Sequence, residues 1–411
     1  MKAKKLVLKQ KSFVWALIIS ALMYQNVIMQ YIAPFKYFDE IIALICLFYF
    51  VLEVYKTRIT KTDIKIALVL VAMCALGFCG NFFSDVQVSL KNQLLDAFNI
   101  FKFIMTIWGA ILYFRKYSTK KYLLYYLTDV IKVSVLVSTF FMVLNLFQDI
   151  GMHTDYIWGI RTYNFVFERV GEFYSVCVMW LVILTAKQYY GKNKSDAFFA
   201  ILIMLNMCST LRTRAFAYVV AFVVLYYILI KKKTIKVRWY YILLLMVVMY
   251  IVGKDKIAYY LLRDNAARSV LLRYGIVTAM TYFPLGAGFG TYGTAVARDT
   301  YSKLYDRYNF QSIWGLDEGE GFLTDNYWPA IMGEFGFFGM ILNIILLYMV
   351  VQKLLRETDN IYSRLCVYFA ISTLLISSVA SSAFLASVRL FLIVCMVCRL
   401  DYSPRENKVI R

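Results

Sequence analysis

The sequence predicts an all-α integral membrane protein of about twelve transmembrane helices. Three observations carry this. The chain is 61% apolar and only 17% charged, whereas a soluble domain holds about 25% charged residues; one globular core cannot bury that much apolar surface. Several apolar runs approach or exceed the ~18 residues a membrane span needs. Runs such as ILLLMVVMYIV (242–252) do not alternate polar and apolar positions, as barrel strands would, and in hydrocarbon only helices and closed barrels satisfy their backbone groups.

The elements follow in chain order. Lysines followed by an apolar run open the chain as a signal peptide would, but no small-x-small cleavage site follows, so the run is expected to stay as the first span, 13–31. Further spans are expected at 37–55, 64–83, 98–114, 130–147, 170–188, 196–209 (a short one), 214–230, 239–253, 328–351, 361–379 and 383–399. The polar stretch 84–97 is expected to lie at the interface. Clusters such as Lys56/Arg58/Lys61/Lys65, Arg115/Lys116/Lys120/Lys121 and Lys231/Lys232/Lys233 fall in alternate loops. Putting both termini in the cytoplasm places twice as many Lys and Arg inside as outside, as the positive-inside rule expects. The chain then divides into helices one to nine (1–253), a large outer loop (254–327), and helices ten to twelve with a short tail (328–411).

The net charge of +20 does not point to nucleic acid, because the basic residues punctuate apolar runs and no soluble basic domain exists to carry them. The eight cysteines all lie in apolar segments, where free Cys packs as a small hydrophobe. His153 is the only histidine, which excludes zinc-type His/Cys sites and a Ser-His-Asp triad assembled from neighbouring residues. Asp317, Glu318 and Glu320 read as a solvated acidic loop, and no metal or other cofactor is expected.

A loop as long as 254–327 is uncommon without a function. Residues 257–283 have a helix-like pattern of apolar and basic positions, with Arg263, Arg268 and Arg273 about a turn or more apart; this suggests helices along the membrane surface. Gly286, Gly288 and Gly290 follow Pro284, without the Lys-[Ser/Thr] of a phosphate-binding loop. Arg212 and Arg214, between the seventh and eighth spans, oppose the positive-inside bias, and such charges are often functional. A guanidinium fork suits diphosphate oxygens. Arg389, inside the twelfth span, is expected to face a cavity or a carboxylate. Asp325 and Asn326 stand at the mouth of the tenth span. Asp325 suits either an N-cap or a general base that takes a proton from a hydroxyl. Gly333, Gly336 and Gly339 then allow close packing. Tyr292, Tyr301, Tyr305, Trp314 and Trp328 suit sugar stacking or an interfacial aromatic belt.

Three motifs in order now resemble those of the O-antigen/capsule polymerase and O-antigen ligase superfamily. TLRTRAF (210–216) is similar to its Thr/Ser-Arg-Gly-Ala segment. RSVLLRYGIVTAMTYFPLGAGFG (268–290) is similar to its Arg-x3-Leu helix and Pro-Leu-x-Gly-x-Gly turn. DNYWPAIMGEFGFFG (325–339) is similar to its His-[Asn/Ser]-x9-Gly-x-x-Gly, with Asp325 where the ligases have His, which suggests a polymerase. The resemblance implies a GT-C-like fold with its site on the outer face of a bacterial cytoplasmic membrane. It also implies an inverting, metal-independent glycosyltransferase that joins polyprenyl-diphosphate-linked oligosaccharides. Arg214, Arg268 and Asp325 become the catalytic candidates, and Asn326, Arg273 and Arg212 the binding candidates. Donor and acceptor would both be lipid-linked, membrane lipids would surround the protein, and a separate protein would control chain length. The alternatives are a ligase with another acceptor and a flippase for lipid-linked oligosaccharides.

Overall fold

The computed structural model describes residues 2–54, 56, 60–117, 119–233 and 266–400, with side chains from residue 9 onward. The ninth expected span, 239–253, and Arg263 lie outside the described residues. The rest is mostly helical: α1 (Lys2–Met23), α2 (Gln25–Tyr31), α3 (Phe38–Val54), α4 (Lys61–Phe83), α5 (Leu90–Arg115) and α6 (Lys120–Phe147). A two-stranded hairpin, β1 (Tyr156–Ile157) and β2 (Ile160–Arg161), precedes α7 (Val170–Lys187), α8 (Lys194–Cys208) and α9 (Thr213–Tyr226, continued by a π-helical turn to Lys231). After the gap come α10 (Ala267–Thr281), the short α11 (Ala295–Asp299) and α12 (Lys303–Arg307), then α13 (Tyr327–Arg356), α14 (Ile361–Ser378) and α15 (Val388–Cys398).

Seven of these helices are long and apolar enough to cross a membrane, or eight if α1 and α2 form one bent span. Their outer faces bear lipid-type stripes. On α13 the exposed residues Phe338, Ile341, Ile344, Ile345 and Tyr348 recur at helical spacing, and on α6 Val133, Leu136, Val137 and Phe140 do the same. Large exposed apolar stripes of this kind mark contact with lipid rather than water. Helices α5 and α7 run through the centre, and almost every side chain of α7 is buried.

Several expected boundaries need correction. The first span is broken: α1 and α2 meet at 76°, beside the polar pair Gln25-Asn26. The stretch 84–97 is only partly interfacial. Ser89 caps α5, accepting from the Asn92 amide at 3.3 Å, and α5 already runs from Leu90. Three expected spans, 37–55, 196–209 and 383–399, are helices of 17, 15 and 11 residues. At 1.5 Å per residue none of them matches a ~30 Å hydrocarbon core by itself.

The bundle has two chemically different ends. One holds the turns after α3, α5, α7 and α13, where Lys353 pairs with Asp63, Lys116 with Glu53 and Arg115 with Glu357. The other is covered by residues 266–326, which form a cap with its own core of Leu271, Tyr292, Leu304, Tyr305 and Phe310. The cap is stitched to the helices by its glycine turn. The Ala287 and Gly288 amides donate to the Gly333 and Glu334 carbonyls, both at 2.9 Å. Asn81 brackets Phe289, donating Nδ2 to its carbonyl at 2.9 Å and accepting its amide at 2.8 Å. Gly336 makes this contact possible. It has φ +65° inside α13, a region that L side chains avoid, and a Cβ there would lie 2.9 Å from both Gly286 N and Pro284 O.

Candidate functional site

The expected pair forms at the junction of cap and bundle. Arg268 stands in the first turn of α10, and Asp325 follows a 3-10 turn (Gly321–Thr324) just before α13. Arg268 Nη2 donates to Asp325 Oδ2 at 2.6 Å, with both side chains partly shielded from solvent. Asn326 is buried and donates Nδ2 to the Arg268 carbonyl at 3.0 Å. Asn326, not Asp325, holds the N-cap position of α13, and it makes no side-chain cap bond. Asp325 is therefore engaged in an ion pair rather than in capping. Charge-assisted pairs of this kind fix geometry well.

The other arginines distribute differently. Arg214, half-buried in the first turn of α9, lies within electrostatic reach of Tyr218. The Tyr218 hydroxyl meets Ser377 Oγ on α14, and the neighbouring Ser378 accepts from Trp328 Nε1 at 3.0 Å. Tyr218 of α9 and Trp328 of α13 thus meet α14 at adjacent residues, Trp328 standing three residues past Asp325. Arg212 pairs with Asp155 beside the β-hairpin. Arg273 is exposed on α10, and five residues on from Arg268 it points about 140° away around the helix.

The aromatic expectation is corrected. Tyr292 and Tyr305 are fully buried in the cap core, Tyr305 stacking on Phe310 at 5.2 Å between ring centres. Neither is placed for sugar stacking or a lipid interface. Trp314 is exposed at the surface of the cap, and Asp317, Glu318 and Glu320 are solvated, as read from sequence.

A clamp holds the cap edge. Asp85, in the turn after α4, accepts from Arg307 of α12 and from the Tyr282 hydroxyl, while Arg307 Nη1 donates to that hydroxyl at 2.7 Å. The Arg307 hydrogen bond holds the Asp85 carboxyl below the usual carboxylate range. Partial burial, reinforced by the bond to Asp85, pushes the Tyr282 phenol up to about 12. A depressed carboxylate adds stability above its unfolded value of about 3.9 and loses it as pH falls through the folded value. The raised phenol adds stability below about 10 and loses it as pH rises through its folded value. Hydrogen exchange of residues 84–88 is therefore expected to be slow between roughly pH 5 and 9 and to quicken at both extremes, after correction for intrinsic rates. Protection that stays flat from roughly pH 2 to 12 would remove the clamp.

Sequence reasoning missed a second set of charges. Lys102 of α5 donates to Glu40 at 2.8 Å and lies 3.4 Å from Asp39, both at the start of α3. Asp96 and Glu334 are buried and reach the same turn of the cap, where Asp96 accepts the Gly290 amide at 2.8 Å and Glu334 the Thr291 amide at 3.2 Å. Arg389, expected to face a cavity, does line a polar cleft and donates to Asn26 Oδ1 at 3.1 Å. The usable signal was there: single charges inside apolar runs are costly and commonly functional. Among the described residues no three His, Cys, Asp or Glu side chains gather as metal ligands would. No family model, curated protein or solved structure matches this chain.

Proposed function

We propose that the protein is a polysaccharide polymerase of the outer face of a bacterial cytoplasmic membrane. It has about twelve spans with both termini cytoplasmic, and it joins polyprenyl-diphosphate-linked oligosaccharides. The observation that carries this is the Arg268–Asp325 pair with Asn326 beneath it, at the end opposite the lysine-rich turns. In the reaction a sugar hydroxyl of one lipid-linked unit attacks the anomeric carbon of another. The new C–O bond forms as the bond to the diphosphate breaks, with inversion. Asp325 takes the hydroxyl proton. Arg268 exchanges its carboxylate partner for the arriving diphosphate and, with Arg214, stabilises the charge on the leaving group. The donor is already activated, so no nucleotide or metal is needed. The ordered motifs of 210–216, 268–290 and 325–339 support the same reading.

A flippase for lipid-linked sugars is the second reading, favoured by the charged cleft between the helices. One preparation separates them. Protein purified into vesicles with lipid-linked repeat units is expected to produce a ladder of oligomers. Movement of labelled units across the bilayer with no ladder would replace polymerase by flippase.

A further inference from the structure

The cleft of about 370 Å³ lies in the size range of small-molecule sites, ~300–1,000 Å³. Its walls come from α2, the start of α3, α5, α11 and residues 382–389. Thr324 also lines it, so it opens one residue from Asp325. We infer that this cleft is a saccharide subsite, holding a neutral, hydroxyl-rich segment of the glycan beside the Arg268–Asp325 pair. The inference rests on the transfer reading for the origin of the sugar.

The charge arrangement selects the ligand class. The cleft has four cations, three of them with an acidic or polar partner, while Lys36 lies over the Tyr37 ring at 4.7 Å from its centre. Lys102 is held by Asp39 and Glu40, Arg298 by Asp299, and Arg389 by Asn26. At Lys102 and Arg298 a phosphate would have to compete with carboxylates already in place. A sugar hydroxyl both donates and accepts, so it fits a wall where donors and acceptors alternate.

A second observation points to a ligand. Gln25 is only 3% exposed. Its Nε2 donates to Phe35 O, Lys36 O and Asp39 Oδ1 at 3.2, 3.0 and 2.9 Å, while Oε1 has no partner among the described residues. A buried acceptor left open is costly, and a hydroxyl donor would satisfy it. Asn99, one turn from Asp96 on α5, offers a second amide to the same space. No aromatic ring lines the cleft among the described residues, so recognition there runs through hydrogen bonds rather than stacking.

The probe is the repeat-unit saccharide, freed from lipid and diphosphate by mild acid. Its equilibrium binding to full-length protein in nanodiscs is measured alongside polymer kinetics. Wild type is expected to bind saturably. Asn99→Leu and Gln25→Leu, each retained only if monodisperse, are expected to weaken binding about tenfold, the loss of one or two good hydrogen bonds. They should raise KM with kcat nearly kept. Arg268→Ala should bind the free saccharide as wild type does. No saturable binding, or unchanged affinity in both leucine variants, overturns the cleft assignment. Binding that persists in a protein that makes no polymer keeps the cleft and removes the transfer reading. Polymer formation at unchanged KM in both variants does the reverse.

Discussion

Replacing Asp325 by Asn is expected to cut polymer formation by about 10²–10⁴-fold, the range assigned to a positioned general base. The Asn side chain keeps the shape and can still meet Arg268, so folding and the α10–α13 junction should survive. What it loses is a carboxylate oxygen able to take the hydroxyl proton. Arg268→Ala is expected to lower kcat by about 10²–10³-fold, the effect of removing one preorganised charge from a leaving group. It also strands Asp325 beside a truncated partner, so the two losses should not add. The double variant is expected near the worse single, as found where residues act as one unit. Arg268→Lys keeps the charge but not the fork of donors, and should recover only part of the rate. The assay is oligomer formation from lipid-linked units, with size-exclusion profiles as the check on folding. Full activity in both Asp325→Asn and Arg268→Ala would discard the site.

The legible part of the fold was the part that hydropathy averages well. The 23-residue α4, the 28-residue α6 and the 30-residue α13 are long apolar runs ending in polar turns. Averaging hid the break at Tyr24, because the apolar count on both sides is that of one span. It also misplaced the start of α5. Lys91, Asn92 and Gln93 look interfacial, but the Asp96 that follows them is buried by protein rather than by lipid. The pairing of Arg268 with Asp325 was legible only because both residues fall inside ordered motifs. Asp39, Glu40, Asp96, Lys102 and Glu334 had no such help. Apart from the adjacent Asp39 and Glu40, each is a lone charge in an apolar run, and most of the partners lie far away in sequence, where no local pattern reveals them.

Glu334 carries the largest expected stability effect. Its side chain is fully buried on α13, and Oε1 accepts from Thr294 Oγ1 at 3.0 Å and from the Thr291 and Tyr292 amides at 3.2 and 3.4 Å. Asp96 accepts the Gly290 amide of the same turn at 2.8 Å. Carboxyl groups from α5 and α13 thus close over one turn of the cap. Glu334→Ala would leave two buried amides and a hydroxyl without an acceptor, at about 1–3 kcal/mol for each group left unpaired. A loss of about 3–5 kcal/mol is expected, the lower part of the sum over those three groups. Glu334→Gln keeps the acceptor and the shape, so it should cost much less. Unfolding in mixed micelles, followed as SDS is titrated in, measures both. The same turn carries Thr294 and leads through α11 to Arg298 in the cleft wall, so loosening it should blunt sugar binding before it unfolds the bundle. A Glu334→Ala protein as stable as Glu334→Gln would mean that the cap is held by its glycine contacts alone, and the carboxyl pair would then lose its structural role.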